Sequence, residues 1–187
     1  SNIITFDAHD PRVQNAIPLS GFESIMPTYQ MLKAMCHTYD DLRIHKHHMM
    51  VISPDEGALN RNIYYSSAMG VDMGMFYKRR DYTRIVNGRN PIVAHEYMGK
   101  EVNGKDVFVA DDILSSGESM IEVAHRLKEL GANRIFSAVT FPLFTNGLEL
   151  YQKSYDEGLI DGVISTNLTY RTPELQAAPW FIEADMS

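Results

Sequence analysis

The segment best equipped for chemistry is Val107-Phe108-Val109-Ala110-Asp111-Asp112-Ile113-Leu114-Ser115-Ser116-Gly117-Glu118-Ser119. A short apolar run, Val107 to Ala110, reads as a buried strand that ends in two adjacent carboxylates. A hydroxyl-rich turn with Gly117 then opens a helix. Free amides at that helix start, together with the Ser115, Ser116 and Ser119 hydroxyls, can donate to phosphate oxygens. Asp111 and Asp112 can accept hydrogen bonds from sugar hydroxyls or hold magnesium through water. A plain helix N-cap with acids near its positive end accounts for the same residues, so the loop alone leaves both readings open. A Walker-type loop is excluded, because no Gly-Lys-Ser/Thr follows the strand.

Three other segments carry reactive side chains. Thr5-Phe6-Asp7-Ala8-His9-Asp10-Pro11-Arg12-Val13-Gln14 places His9 just beyond a strand, where an isolated histidine is more often structural. Val51-Ile52-Ser53-Pro54-Asp55-Glu56-Gly57-Ala58-Leu59-Asn60-Arg61 offers Asp55 in a turn, a pattern that also serves as an ordinary Pro-Asp turn and helix cap. Phe76-Tyr77-Lys78-Arg79-Arg80 clusters cations at a strand end. Such a run is usually a solvated turn, but positioned cations also lower the barrier to phosphoryl transfer by stabilising the equatorial oxygens.

These segments need a scaffold, and its elements can be read. Ile3 to Phe6, Met49 to Ser53, Asp72 to Tyr77, Val107 to Ala110, Arg134 to Thr140 and Gly162 to Thr166 are predicted strands. Met26 to His37, Leu59 to Met69, the stretch Met120, Val123, Ala124, Leu127 and Leu130, and Leu148 to Glu157 are predicted helices, with Gly70 and Gly131 as stops. The alternation predicts an α/β fold of three layers, a mostly parallel sheet with helices on both faces. Sites on such sheets lie beyond the carboxyl ends of the strands, so the chemistry is expected just after Phe6, Ser53, Tyr77 and Ala110. Lys78 to Tyr97 breaks the rhythm, with Arg79, Arg80, Arg84, Arg89 and a turn-prone Asn87-Gly88-Arg89-Asn90-Pro91, and is predicted to be a long irregular loop.

Composition narrows the class. The 187 residues, 44% hydrophobic and 22% charged, suffice for one folded domain. A formal charge of −7 argues against nonspecific nucleic-acid binding, and no apolar stretch is long enough for a membrane span. The start lacks the pattern of a signal peptide, and Ser1-Asn2 could be a tag remnant. The single cysteine, Cys36, fits a reducing cytoplasm and is predicted to be a small core residue on an apolar helix face. His45, His47 and His48 read as a solvated turn, without partners at metal-site spacing. The 11 methionines read mostly as core filling.

The strand, acid pair and Ser-Gly loop resemble the phosphoribosyl pyrophosphate signature of phosphoribosyltransferases and ribose-phosphate pyrophosphokinases. The Asp-x-His segment, the Ser-Pro-Asp turn with Arg61, and Lys78-x-Arg80 are similar to further motifs of the pyrophosphokinases. Phe141-Pro142-Leu143-Phe144-Thr145-Asn146-Gly147 and Val163-Ile164-Ser165-Thr166-Asn167 add weaker matches in the same order. The resemblance implies a type I phosphoribosyltransferase-like fold and diphosphoryl transfer from ATP to ribose 5-phosphate. It puts Asp111 and Asp112 on the ribose and Ser115, Ser116, Gly117, Glu118 and Ser119 on the 5-phosphate. It puts His9 and Arg61 on ATP, His9, Asp55 and Asp7 at magnesium, and Lys78 and Arg80 on the phosphoryl groups in flight. Two residues depart from the pattern. Ser115 stands where an aspartate is usual, and Glu118 replaces a small residue, so its carboxylate is expected to turn to solvent and offer only its amide.

Family members have two related domains, so the chain is expected to be the C-terminal half of a homo-oligomeric, cytoplasmic enzyme. Residues 1–20 would be the tail of a missing N-terminal domain, and the 187 residues alone would catalyse poorly. A phosphoribosyltransferase that consumes phosphoribosyl pyrophosphate and a noncatalytic regulatory homologue are the alternatives.

Overall fold

A computed structural model of the protein describes residues 2–80, 83 and 92–187, with the backbone alone at 78–80 and 92–95. In chain order its elements are β1 (Asn2–Phe6), β2 (Gly21–Ile25), α1 (Thr28–Thr38), β3 (Met49–Ser53), α2 (Leu59–Met69), β4 (Asp72–Arg80) and β5 (Ile92–Met98). They continue as β6 (Asp106–Leu114), α3 (Glu118–Glu129), β7 (Ile135–Pro142), α4 (Glu149–Asp156), β8 (Gly162–Thr166), α5 (Pro173–Ala177) and β9 (Phe181–Ala184). A short 3-10 helix, Pro11–Ala16, joins β1 to β2.

Seven strands form one sheet in the order β5-β4-β3-β6-β7-β8-β9. Every pairing is parallel except β4 with β5 at one edge. The central strands read as unbroken apolar runs because both their faces are covered, and every residue of β3 and β8 is buried. On one face Met31 and Met35 of α1 and Tyr65 and Met69 of α2 pack against Val51, Phe108 and Ile164. On the other, Val123 and Leu127 of α3 and Tyr151 of α4 pack against Met50, Val109 and Val163. Each such fully buried side chain is worth about 1.5–3 kcal/mol, so Leu127→Ala would remove about 2–5 kcal/mol. The predicted three-layer α/β fold is therefore present. No helix among the described residues is long and apolar enough to cross a membrane.

The structure corrects four expectations. The strand predicted for Val107 to Ala110 runs on to Leu114, because β7 continues to pair with it through Leu114↔Pro142. Asp111 and Asp112 thus lie within the strand rather than after it. The predicted irregular stretch from Lys78 is flanked by strands: β4 extends to Arg80 and pairs antiparallel with β5, with Lys78 opposite His95. Cys36 is exposed. The buried stripe of α1 is Thr28, Met31 and Met35, and Cys36 sits one residue, about 100° of helix, off that stripe. Finally, β1 pairs with β2 in a separate two-stranded parallel sheet instead of joining the large one.

Candidate functional site

The chain turns from β3 through α2 to β4 on one side, and β6 then takes the place on β3's other side. The sheet therefore reverses its winding between β3 and β6, where a parallel sheet opens a crevice at the carboxyl ends of its strands. Pairing of β3 with β6 is recorded only from Met49↔Asp106 to Val51↔Phe108. Beyond that point the side chain of Asn62, fully buried on α2, occupies the fork. Its Nδ2 donates to the Ala110 carbonyl at 2.8 Å, and its Oδ1 accepts from the Ala110 amide at 3.0 Å. The next two residues are the acid pair.

Around that pair five of the predicted residues, from three separated segments, meet in one network. Asp7 follows β1 with a left-handed φ of 41°, an uncommon conformation for a residue other than glycine. It is almost fully buried. Arg61, 10% exposed, donates to both its oxygens through Nε and to Oδ1 through Nη2 at 2.6 Å. Thr140 Oγ1 on β7 donates to Asp7 Oδ2 at 2.5 Å. The same guanidinium lies 3.7 Å from Asp111 and 3.8 Å from Asp112. His9 Nδ1 meets Asp112 Oδ2 at 2.5 Å.

These contacts divide the acid pair electrostatically. Burial, then the Asp112 charge, holds the Asp111 carboxyl well above the ordinary range. Burial also presses on Asp112, but the His9 hydrogen bond and the Arg61 charge outweigh it and leave Asp112 below its ordinary value. The hydrogen bond to Asp112, and then its charge, raises the His9 imidazole. One carboxyl of the pair thus favours the proton and the other the charge.

A cavity of about 170 Å³ lies beside the network, lined by Asp55, Asp111, Ser115, Ser116, Gly117 and Ser119 among others. The loop is built tightly. Gly117 caps α3 at a φ of 80°, and an added Cβ would lie 2.3 Å from the Tyr151 ring, so only glycine fits. Thr145 fastens the far side, its amide donating to the Ser115 carbonyl at 3.0 Å. Glu118 is exposed and faces Asn146 Nδ2 at 3.5 Å, away from the cavity. Asp55 Oδ1 accepts from the Ala58 amide at 3.1 Å, the turn that starts α2. A second cavity, about 320 Å³, is lined by Asp7, His9, Asn60, Arg61 and Tyr64 among others.

The predicted residues Asp7, His9, Arg61, Asp111 and Asp112 form the network, and Asp55 joins the Ser115–Ser119 loop at the first cavity. Glu118 alone of that loop's five residues does not line it. Lys78 and Arg80 lie in β4, and their side chains are outside the described residues. Thr145 lies in the weakly matching segment 141–147, whereas Asn62, Thr140 and Tyr151 belong to none of the matching motifs. Only an asparagine on the buried stripe of a helix could have hinted at one of them. Among the described residues no ready-made cluster of three or more metal-ligating side chains occurs. Both oxygens of Asp7 already accept from Arg61 and Thr140. Asp55 and Asp111 both line the first cavity, and magnesium, a hard ion that keeps several waters, takes one or two carboxylates plus phosphates.

The phosphoribosyl transferase domain family matches residues 25–161. The ribose-phosphate pyrophosphokinase of Pyrococcus abyssi is 29% identical over 168 residues, covering 89% of this chain and 54% of that protein. Its counterpart in Thermosipho africanus is 27% identical over 189 residues, covering 98% and 55%. Among solved structures, phosphoribosylpyrophosphate synthetase from Mycobacterium smegmatis aligns with a TM-score of 0.74 at 20% identity, over 98% of this chain and 54% of that one. That likeness concerns the fold. The chain spans about half the length of the curated relatives it matches.

Proposed function

The chain belongs to the phosphoribosyl transferase domain family, and from that premise we propose that it is the ribose 5-phosphate-binding half of a ribose-phosphate pyrophosphokinase. In the proposed reaction the anomeric hydroxyl of ribose 5-phosphate attacks the β-phosphorus of ATP. A P–O bond forms there, the bond to the α-phosphate oxygen breaks, and AMP leaves. The observation that carries the reading is the meeting of Asp7, His9, Arg61 and the acid pair between two cavities, one of them walled by the Ser115–Ser119 loop.

In this reading the loop's amides and hydroxyls, with the Glu118 amide, hold the 5-phosphate, and Asp111 and Asp112 take the ribose hydroxyls. Holding the acceptor there converts a bimolecular encounter into a positioned one. His9 and Arg61 face the nucleotide from the second cavity. Asp55 and Asp111 would hold magnesium, which would supply positive charge to the polyphosphate. Asp7 serves it indirectly by fixing Arg61, and His9 by fixing Asp112. Lys78 and Arg80 stabilise the transferred group. A further N-terminal domain, of which residues 1–20 are the tail, and a homo-oligomer in the cytoplasm complete the proposed enzyme.

Titration of ribose 5-phosphate with magnesium into the protein and into Ser116→Asp tests the assignment. Heat of binding in the parent and none in the variant is the expected result, because a carboxylate in the cradle repels the phosphate. A parent without binding heat, or a variant that binds equally well, would overturn it.

A further inference from the structure

We propose that Asn62 is a positioning residue whose side-chain amide serves as an extra rung of the sheet, holding the end of β6 so that Asp111 faces the Ser115–Ser119 cavity and Asp112 meets His9. The proposal rests on the sugar-phosphate reading for its functional meaning and on the fork between β3 and β6 for its geometry.

A backbone N–H and C=O buried in a sheet must both find partners. On β6 the recorded pairing with β3 ends at Phe108, while pairing with β7 on the other side continues through Ala110↔Ala138 and Asp111↔Val139. On the β3 side of Ala110 the missing strand is replaced by one side chain. Asn62 donates to the Ala110 carbonyl and accepts from its amide, the two bonds a neighbouring strand would supply. Its second N–H goes to the Ala58 carbonyl at 2.9 Å, within its own helix, and Ser53 Oγ of β3 lies 3.4 Å away. The single amide thus ties α2 and the end of β3 to the residue immediately before the acid pair.

No other side chain of similar size does this. Aspartate has the shape but cannot donate to the two carbonyls, leucine fills the space with no polar group, and glutamine is a methylene too long for a 2.8 Å contact at the same helix position. The Ala110 amide also fixes the orientation, since only the oxygen of Asn62 can face it. One helical residue earlier, Arg61 holds the acid pair electrostatically from the same helix. Neighbouring residues of α2 therefore set the pair, one through its backbone and the other through its charge.

The test compares Asn62→Leu, Asn62→Asp and a core-truncated control remote from the fork, Val163→Ala in β8. All are first shown by circular dichroism to keep the native fold at the working temperature. Affinity for ribose 5-phosphate with magnesium is then measured by titration. Positioning predicts that both Asn62 variants bind about tenfold or more weakly than the parent, the usual scale for removing a group that orients a binding residue. Val163→Ala should bind like the parent whatever it costs in thermal midpoint. Normal binding by Asn62→Leu, or equal weakening by Val163→Ala, would overturn the proposal and leave Asn62 a packing residue. If the parent itself does not bind ribose 5-phosphate, the substrate reading fails. The positioning claim is then decided by the amide resonances of Ala110 to Ile113. Displacement in Asn62→Leu but not in Val163→Ala supports it, and unmoved resonances in Asn62→Leu overturn it.

Discussion

Replacing Arg61 by methionine keeps most of the side chain's bulk, deletes its charge, and should cost the fold about 4 kcal/mol, the scale for removing one partner of a buried ion pair. The guanidinium is 10% exposed, donates to Asp7 at 3.1, 3.0 and 2.6 Å, and faces Asp111 and Asp112 at 3.7 and 3.8 Å. Each charge pair at such a distance is worth about 4 kcal/mol at an effective dielectric of about 20. Most of that gain offsets the desolvation of the guanidinium. Once Arg61 is gone, Thr140 still donates to the nearly buried Asp7, and the acid pair loses the guanidinium 3.7 and 3.8 Å away. Urea unfolding, with a slope of about 2 kcal/mol per M, should show the midpoint falling by roughly 2 M. Adding Asp7→Asn should recover part of the loss, because it removes the stranded charge. A midpoint fall under roughly 0.5 M, or an Asp7→Asn cost that is the same with and without Arg61, would refute the reasoning.

Three further outcomes are expected. Gly117→Ala places a Cβ 2.3 Å from the Tyr151 ring at a φ of 80°. It should lower stability by about 2 kcal/mol or more and abolish ribose 5-phosphate binding; a variant that unfolds and binds like the parent would count against the tight loop. Asp111 is pushed up to about 7 in the folded chain by burial and then by the Asp112 charge, against about 4 when unfolded. The folded state therefore binds the extra proton between those values, and this group's contribution to stability falls as pH rises through them. Asp111→Asn should accordingly gain on the parent between pH 5 and pH 8 in urea midpoints, and a constant difference would sink the idea. Cys36, exposed on α1 with its thiol raised by partial burial, should react with a thiol reagent in the native state and faster at alkaline pH. Reaction only on unfolding would return it to the core.

Periodicity carried β3, α2 and β8 to their observed limits, because each is a short apolar run or amphipathic stretch with a clear stop such as Gly70. It failed where neighbours decide. The residues of β5 become a strand by pairing with the extension of β4, and Asp111 and Asp112 stay extended because β7 still accompanies them. Local spacing holds neither fact. Cys36 was misjudged because a helix face shifts by about 100° at each residue. The site residues were legible as types: acids after a strand, a histidine after a strand, an arginine on the next helix. That Asp7 would adopt φ 41° and reach both Arg61 and Thr140, or that Asn62 would stand in for a strand, depends on three-dimensional neighbours far away in sequence.

The bond from Thr140 to Asp7 spans 133 residues, and that from His9 to Asp112 spans 103. Contacts across such separations close long loops and bear a correspondingly high closure entropy. They gain nothing until the strands between them are in register, so they form late along the folding route. The βα units from β3 to β8 close over shorter loops and can assemble without them. A chain with a complete sheet can therefore exist for a time without its site, its acid pair in place but His9 and Asp7 unattached. Completion of the site is in this sense a late step of folding, and an early one to be undone when the N-terminal segment lets go.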